Sequence, residues 1–198
     1  MKRASRIALA PDRMAIRPLT TDRWPDLKHL FGPRGACAGC WCMYWKRSRR
    51  EYEAGKGPGN RKAFRKIVKA GEVPGLLAYD GDEPIAWCAL GRRESYPRLA
   101  DSRILSPVDG EAVWSVTCLF VRRDYRCCGV TPALLRAAVE HVRRRGGHIV
   151  EGYPIDPRGG HIAAAFAWTG LASAFRRAGF REVARRSATR PIMRASFD

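Results

Sequence analysis

The chain of 198 residues is 45% apolar and holds 37 lysines and arginines against 19 acids, a formal charge of +18. It is long enough for one domain with a full core and short for two; no stretch approaches the ~20 apolar residues of a membrane span, and MKRASRIALAPDRM has too short an apolar centre for a signal peptide, so a soluble, cytoplasmic protein is expected. Seven cysteines, two of them adjacent, indicate free thiols in a reducing compartment, and the charge favours anionic partners (nucleic acid, an acidic membrane or a phosphate-bearing small molecule), although an arginine-rich composition alone would also produce it.

Residues 1–12 are basic and unpatterned, a loose tail, and residues 13–198 are expected to form a single domain. A short strand is predicted at Met14 to Arg17. Asp22 then offers a cap for a helix whose apolar positions Trp24, Leu27 and Leu30 recur at helical spacing. GACAGCWCMYWKR, residues 35–47, sets Cys37, Cys40 and Cys42 among Trp41, Tyr44 and Trp45. Three thiolates in C-x-x-C-x-C could suit zinc, but a closed structural site wants four ligands and no second C-x-x-C or H-x-x-x-H stands at finger spacing, so no metal is expected. A redox pair would open a helix next to a strand, and buried inert thiols fit the apolar context equally. Two helical pieces then flank AGKGPGN, with Asn60 as the N-cap of the second and Gly71 ending it. This loop lacks the spacing of a phosphate-binding G-x-x-x-x-G-K-[ST] and has no strand before it, so it reads as a plain loop.

GLLAYDGDEPIAWCALGRR is the clearest hairpin, turning at Asp80 and Gly81. A polar connection rich in turn formers leads to AVWSVTCLFV, an apolar run of strand length that predicts a central strand buried on both faces. TPALLRAAVEHVRRRGG predicts a helix with Thr131 as cap, Pro132 at the first position and Leu134, Leu135, Ala138 and Val142 on the apolar face. His141 falls on its exposed side, and His148 at the start of the next strand, HIVEGYPID; the two do not form a metal spacing. The long loop that follows, with Asp156, Pro157, Arg158 and His161, is either a cover over a substrate or an irregular surface connection. LASAFRRAGF reads as a short helix, and REVARRSATRPIMRAS as a final strand with its connection. The order is mixed α/β, with no internal repeat.

The chemistry concentrates in LFVRRDYRCCGVTPALL, residues 119–135. A strand ends, Arg126-x-x-Gly129-Val130-Thr131 makes a tight basic turn, and a helix begins at once. Unpaired backbone N–H groups and the positive helix end converge there, which suits a pyrophosphate. Gly129 permits close approach or a positive φ, and Arg126 adds a charge-assisted contact. An ordinary strand-to-helix turn that binds nothing has the same short pattern.

This span resembles the coenzyme A signature [QR]-x-x-G-x-[GA] of the GCN5-related N-acetyltransferase (GNAT) superfamily, with Thr131 in place of the last small residue. The likeness extends over residues 13–195: the early strand and helix, the hairpin, VWSVTCLFV, and AFRRAGFREVARR as the family's aromatic-x-x-x-Gly-Phe ending. It implies a mixed, mostly antiparallel central sheet flanked by helices, with splayed central strands that bind CoA. Leu119, Phe120 and Val121 would then offer backbone groups to the pantetheine arm, and the amides from Cys127 through Cys128, Gly129 and Val130 to Thr131 would hold the pyrophosphate beside Arg126. Phe175 would border the bound coenzyme with them; it stands where family members often carry a tyrosine proton donor, and a phenyl ring cannot donate. Ser115 stands where some carry a glutamate base; Glu151, Tyr153 and Glu111 are the nearby candidates for proton transfer. Trp41, Tyr44 and Trp45, after the first helix, would be an aromatic wall of the acceptor pocket or core material. The resemblance implies transfer of an acetyl group from acetyl-CoA to a primary amine of a small molecule, a metabolite or an antibiotic, by a protein that could pair as a homodimer. The alternatives are acetylation of a protein or peptide amine, and a CoA-binding or nucleic-acid-binding module that kept the fold and lost the chemistry.

Overall fold

The computed structural model describes residues 14–157, 162 and 166–198, so the basic tail and the part of the long loop that holds Arg158 and His161 lie outside the described residues. Seven strands, β1 (Met14–Pro18), β2 (Gly75–Asp80), β3 (Glu83–Arg92), β4 (Trp114–Val121), β5 (Ile149–Gly152), β6 (Arg181–Arg185) and β7 (Pro191–Ser196), form one sheet in the order β1-β2-β3-β4-β5-β7-β6. Every neighbouring pair is antiparallel except β4 and β5. A parallel pair needs a crossover, and the helix α5 (Val130–Arg143) supplies it. The other helices are α1 (Trp24–Phe31), α2 (Arg49–Ala54), α3 (Pro58–Lys69), α4 (Pro97–Ala100) and α6 (Ala172–Arg177).

Both faces of the central strands are covered, which is why these strands read as continuous apolar runs. Leu76 and Ala78 of β2 and Ala86, Cys88 and Leu90 of β3 pack with Leu134, Leu135, Ala138 and Val142 of α5. Their alternates Leu77, Tyr79, Trp87 and Ala89 pack with Trp24 and Leu27 of α1 and Phe64 and Val68 of α3. The period of two along each strand thus divides the core into two layers.

Several local expectations are corrected. Pro58 opens α3 behind Gly57, and Asn60 lies inside the helix, fully buried, its amide donating to the Tyr52 carbonyl (3.2 Å) and its Oδ1 accepting from Arg47 (3.0 Å). A residue type that favours caps is here held by tertiary partners instead. Gly129, not Thr131, is the N-cap of α5, and Pro132 falls in the third helical position; Arg23, not Asp22, precedes α1. The connection after β3 contains α4 and buries Tyr96, Leu99 and Leu105. The end of the chain makes a hairpin of two strands, β6 and β7, where one was expected. His141 is half-buried, its Nε2 enclosed without a partner, and burial lowers its pKa.

Candidate active site

β4 and β5 run side by side for only three residue pairs, Trp114 with Val150, Ser115 with Glu151 and Val116 with Gly152. β5 then ends while β4 continues to Val121, so the sheet opens into a fork. Gly152 stands where β5 departs, and a Cβ there would fall 2.1 Å from the Phe175 ring, so only glycine lets Phe175 fill the root of the fork. Phe175 is fully buried and stacks edge-on with Phe180 at 5.0 Å. On its other edge β4 carries a bulge: Ala89 pairs with Cys118 and Leu90 with Val116, leaving Thr117 as the extra residue. The bulge therefore lies one residue beyond the last pair that holds the fork closed.

Beyond the fork the amide of Leu119 donates to the Trp168 carbonyl at 2.7 Å. The Trp168 ring packs against Tyr44 (5.1 Å) and Trp45 (5.9 Å), so the aromatic stretch after α1 reaches the open side of β4 through this residue. Thr169, buried, accepts from Arg190 at 3.0 Å, and Ile155 bridges to Leu171 at the base of the same loop. Phe120 and Val121 are half-buried, Phe120 against Phe31 at 5.8 Å.

At the end of β4 the chain makes a short turn, Arg123–Tyr125, and enters α5 through Gly129 at φ +79, ψ 0. Cys127 also has a positive φ, +64. A Cβ on Gly129 would meet no atom within 4 Å, so its outer face is open space rather than packed protein. The first turn of a helix leaves its amides without intrahelical acceptors, and those of Cys127, Gly129, Val130 and Thr131 bond to no backbone carbonyl among the described residues. Arg126 is exposed and folds back so that its Nε donates to the Val121 carbonyl at 3.1 Å. The turn is fixed from the other side by the β2–β3 hairpin, where Tyr125 donates to Asp80 at 3.1 Å and Arg122 pairs with Glu83. The result is a rigid, cationic, open cradle of N–H groups, which fits a pyrophosphate.

Ser115, Glu151 and Tyr153 come together as one buried network at the closed end of the fork, each fully buried. The Tyr153 hydroxyl donates to Glu151 Oε1 at 2.7 Å and accepts from Arg93 at 2.6 Å, while Ser115 Oγ lies 2.8 Å from it. Arg93 and Arg194 also donate to the two Glu151 oxygens, at 2.9 and 2.8 Å, and Arg194 continues to Asp109. Burial first, and the Glu151 charge second, push the Tyr153 pKa upward, so it stays a neutral phenol. Glu111 is exposed and apart from this network.

Of the aromatic stretch, Trp41 joins the core with Trp24 (6.0 Å) and Phe31 (5.6 Å), while Tyr44 and Trp45 face Trp168. The three cysteines differ in setting. Cys37 is exposed, Cys40 half-buried, and Cys42 buried with its sulfur accepting from Trp87 Nε1 at 3.1 Å. A hydrogen bond with Cys118 and then burial raise the Cys42 pKa, so it is held as a thiol. Among the described residues no group of three His, Cys, Asp or Glu side chains could hold a metal.

Sequence reading missed Trp168, Thr117 and Tyr96. Tyr96 is 1% exposed, its hydroxyl has the Thr117 hydroxyl as a polar neighbour and no well-aligned hydrogen bond, and its ring carries the Lys46 ammonium at 4.4 Å. Burial raises the Tyr96 pKa, with the Thr117 hydroxyl acting in the opposite direction, so the phenol stays protonated beside the bulge. The available signals were slight: Thr117 and Cys118 interrupt an apolar run, and Trp168 is one of two large rings, with Phe166, in an alanine-rich loop.

The fold is shared with solved structures of low sequence identity. PaiA N-acetyltransferase from Thermoplasma acidophilum, solved with coenzyme A, is 15% identical with a TM-score of 0.52 over 93% of this chain and 99% of its own. YncA from Salmonella typhimurium, solved with acetyl-CoA, is 13% identical with a TM-score of 0.52 over 94% and 95%. An agmatine N-acetyltransferase reaches a TM-score of 0.57 at 10% identity over 94% and 100%. No curated protein sequence matches. The acetyltransferase (GNAT) family model matches residues 40–180, most of the chain and the whole of the fork, bulge and glycine turn. With that match, the architecture has its explanation: the chain belongs to the GNAT acetyltransferase family.

Proposed function

We propose that the protein transfers an acetyl group from acetyl-CoA to a primary amine of a small molecule. The observation that carries this reading is the fork between β4 and β5 leading directly into the open glycine turn before α5. When bound, acetyl-CoA supplies an acyl group already activated as a thioester. The amides of Cys127, Cys128, Gly129, Val130 and Thr131, with Arg126, would hold its pyrophosphate, and the backbone of Leu119, Phe120 and Val121 its pantetheine arm. Leu119 can do so only if its amide gives up the Trp168 carbonyl.

On the acceptor side we assign Tyr44, Trp45 and Trp168 as the wall. The three rings lie within 6 Å of one another and form one compact aromatic surface, which suits the apolar part of a small amine. Trp41 packs in the core against Trp24 and Phe31 and is left out of the wall. Ser115, Glu151 and Tyr153 are positioning residues: completely buried and mutually bonded, they hold β4 and β5 together up to the bulge. Phe175 fills the root of the fork and cannot supply a proton. Tyr96 is the candidate donor to the departing thiolate, because its hydroxyl is protonated, lies beside Thr117 of the bulge and makes no well-aligned hydrogen bond.

Calorimetric titration with acetyl-CoA tests the site. Gly129→Glu puts bulk and negative charge into the cradle and should abolish binding while the far-UV spectrum is unchanged; undiminished affinity overturns the assignment. Thiol release with a panel of small amines and a panel of peptides tests the acceptor, and turnover confined to peptides removes the small-molecule reading. Tyr96→Phe should lower kcat by about a hundredfold with little change in the KM for acetyl-CoA. Unchanged kcat would remove Tyr96 from the chemistry.

A further inference from the structure

A second feature stands apart from the fork. α1 and α3 enclose an open cleft of about 1230 Å³ whose lining contains eight basic residues and no acidic one. Five of them, Arg61, Lys62, Arg65, Lys66 and Lys69, come from α3, and all five are exposed. Their spacing at i, i+1, i+4, i+5 and i+8 sets them in two lines along the helix, roughly 12 Å from end to end. Lys28 and His29 face them from α1, and Arg47 closes one end. Arg61 lies over the Trp41 ring at 5.5 Å, which fixes one cation to the floor.

Of these eight, His29 lies 3.2 Å from Glu83 and adds no free charge, whereas the lysines and arginines of α3 are not neutralised within the described residues. Some arginines elsewhere share acids, Arg143 and Arg144 with Glu140, Arg176 and Arg185 with Asp156, but what sets α3 apart is five cations collected on one helix facing one cleft. None of the five on α3 has an ion-pair partner among the described residues. The helix is held rigidly beneath them by Phe64, Val68 and the bonded Asn60, so the like charges cannot relax apart by moving the helix. A concave, linear array of unpaired cations matches an extended polyanion. A flat membrane surface would call for apolar residues at the rim, and among the described residues the exposed large apolar side chains, Ile104, Phe166, Leu171 and Val183, all lie outside α1 and α3.

We propose that the α1–α3 cleft binds the phosphodiester backbone of a nucleic-acid strand, recognised by charge and not by sequence. The +18 charge of the chain would steer the encounter and the cleft would localise it. This inference is independent of acetyl transfer.

Fluorescence anisotropy of the full chain with labelled 20-mers of single-stranded RNA, single-stranded DNA and duplex DNA tests it. Binding should be insensitive to sequence, with log K falling linearly against log salt at a slope of about −3 to −5, as for four to six phosphates neutralised. The variant R61A/K62A/R65A/K66A should bind at least about thirtyfold more weakly at 100 mM salt, with a slope shallower by about 3. A second variant, R143A/R144A/R145A/R181A, removes as many charges from other exposed positions and should change affinity by less than about threefold. Both should keep their far-UV spectra and acetyl-CoA titrations, which separates this test from that of the fork. Binding to one nucleic-acid type alone would support the proposal and name the source. Equal losses in the two variants, salt-independent affinity, or displacement by polyglutamate as effective as by RNA of equal charge would overturn it.

Discussion

Glu151 shows how one buried residue can tie several elements of the sheet together. Its carboxylate is fully buried, and two guanidinium groups and one phenol use its two oxygens. Such a charge persists because it is paired; removing one partner leaves the others unmatched in low dielectric, at a cost of about 3–5 kcal/mol. Glu151→Ala should therefore lower Tm by roughly 6–20 °C for a chain of this size, measured by calorimetry. A drop of a degree or two would mean that water reaches Arg93 and Arg194. Tyr153 is the same network's titrating member. Its folded pKa is raised above the unfolded value near 10, so the stability it contributes is complete below pH 10 and is lost as pH rises through the folded pKa. Urea denaturation should show the wild type losing stability above pH 10, and Tyr153→Phe should lose it less steeply while starting about 1–3 kcal/mol lower. The slope should not vanish, because Tyr52, Tyr79 and Tyr96 are shifted the same way, chiefly by burial.

Among the elements, the segment between α1 and α2 is the one that propensity explains least. Ala36, Ala38, Trp41 and Cys42 all have positive φ, a conformation L side chains adopt at a cost of about 1–2 kcal/mol each. Burial of Trp41 among Trp24 and Phe31 and the bond from Trp87 to Cys42 offset that strain. Ala38 is exposed at φ +46, with no burial to offset its share, so Ala38→Gly should raise stability by about 0.5–1 kcal/mol despite glycine's greater unfolded-state entropy. The neighbouring Gly39 predicts the reverse. A Cβ there would fall 2.4 Å from the Gly57 nitrogen, whose N–H donates to the Gly39 carbonyl, so Gly39→Ala should destabilise by several times that amount. Chemical denaturation of the two single variants checks both signs at once. This segment also marks where sequence reading stops. The periodicity of Trp24, Leu27 and Leu30, the hairpin turn at Asp80 and Gly81 and the apolar run of β4 were legible because each is local. Asn60 was misread as a cap because its partners, Gly39, Tyr52 and Arg47, belong to other turns of the chain.

For the whole molecule, the cradle was legible and the fork's contents were not, for one physical reason. A strand, a glycine turn and a helix are contiguous at residues 114–143, whereas the wall of the fork is assembled from Tyr44, Trp45 and Trp168, which meet only after the sheet has formed. Charge is the other property that belongs to the entire chain, and it makes a prediction with two opposite arms. The excess of 37 cations over 19 anions repels itself, and on α3 the pairs Arg61 with Arg65, Arg65 with Lys69 and Lys62 with Lys66 stand at i,i+4. Like-charge pairs at that spacing cost about 0.2–0.5 kcal/mol each, so together they cost about 1 kcal/mol at low salt. Raising ionic strength from 0.01 to 0.15 M shortens the screening length from about 30 to about 8 Å and should recover most of it, a Tm increase of roughly 2–4 °C. The same screening weakens exposed ion pairs such as Glu140 with Arg144, but these are few against the unpaired cations, so repulsion decides the sign. Acetyl-CoA, on the reading proposed for the fork, is a polyanion approaching a cationic cradle, and its association rate should fall over the same salt range while stability rises. Thermal melts and stopped-flow binding in the same buffers measure both arms. A Tm that falls with salt would show that the cations are paired in solution, and an association rate indifferent to salt would show that the protein's field does not steer its anionic partner to the cradle.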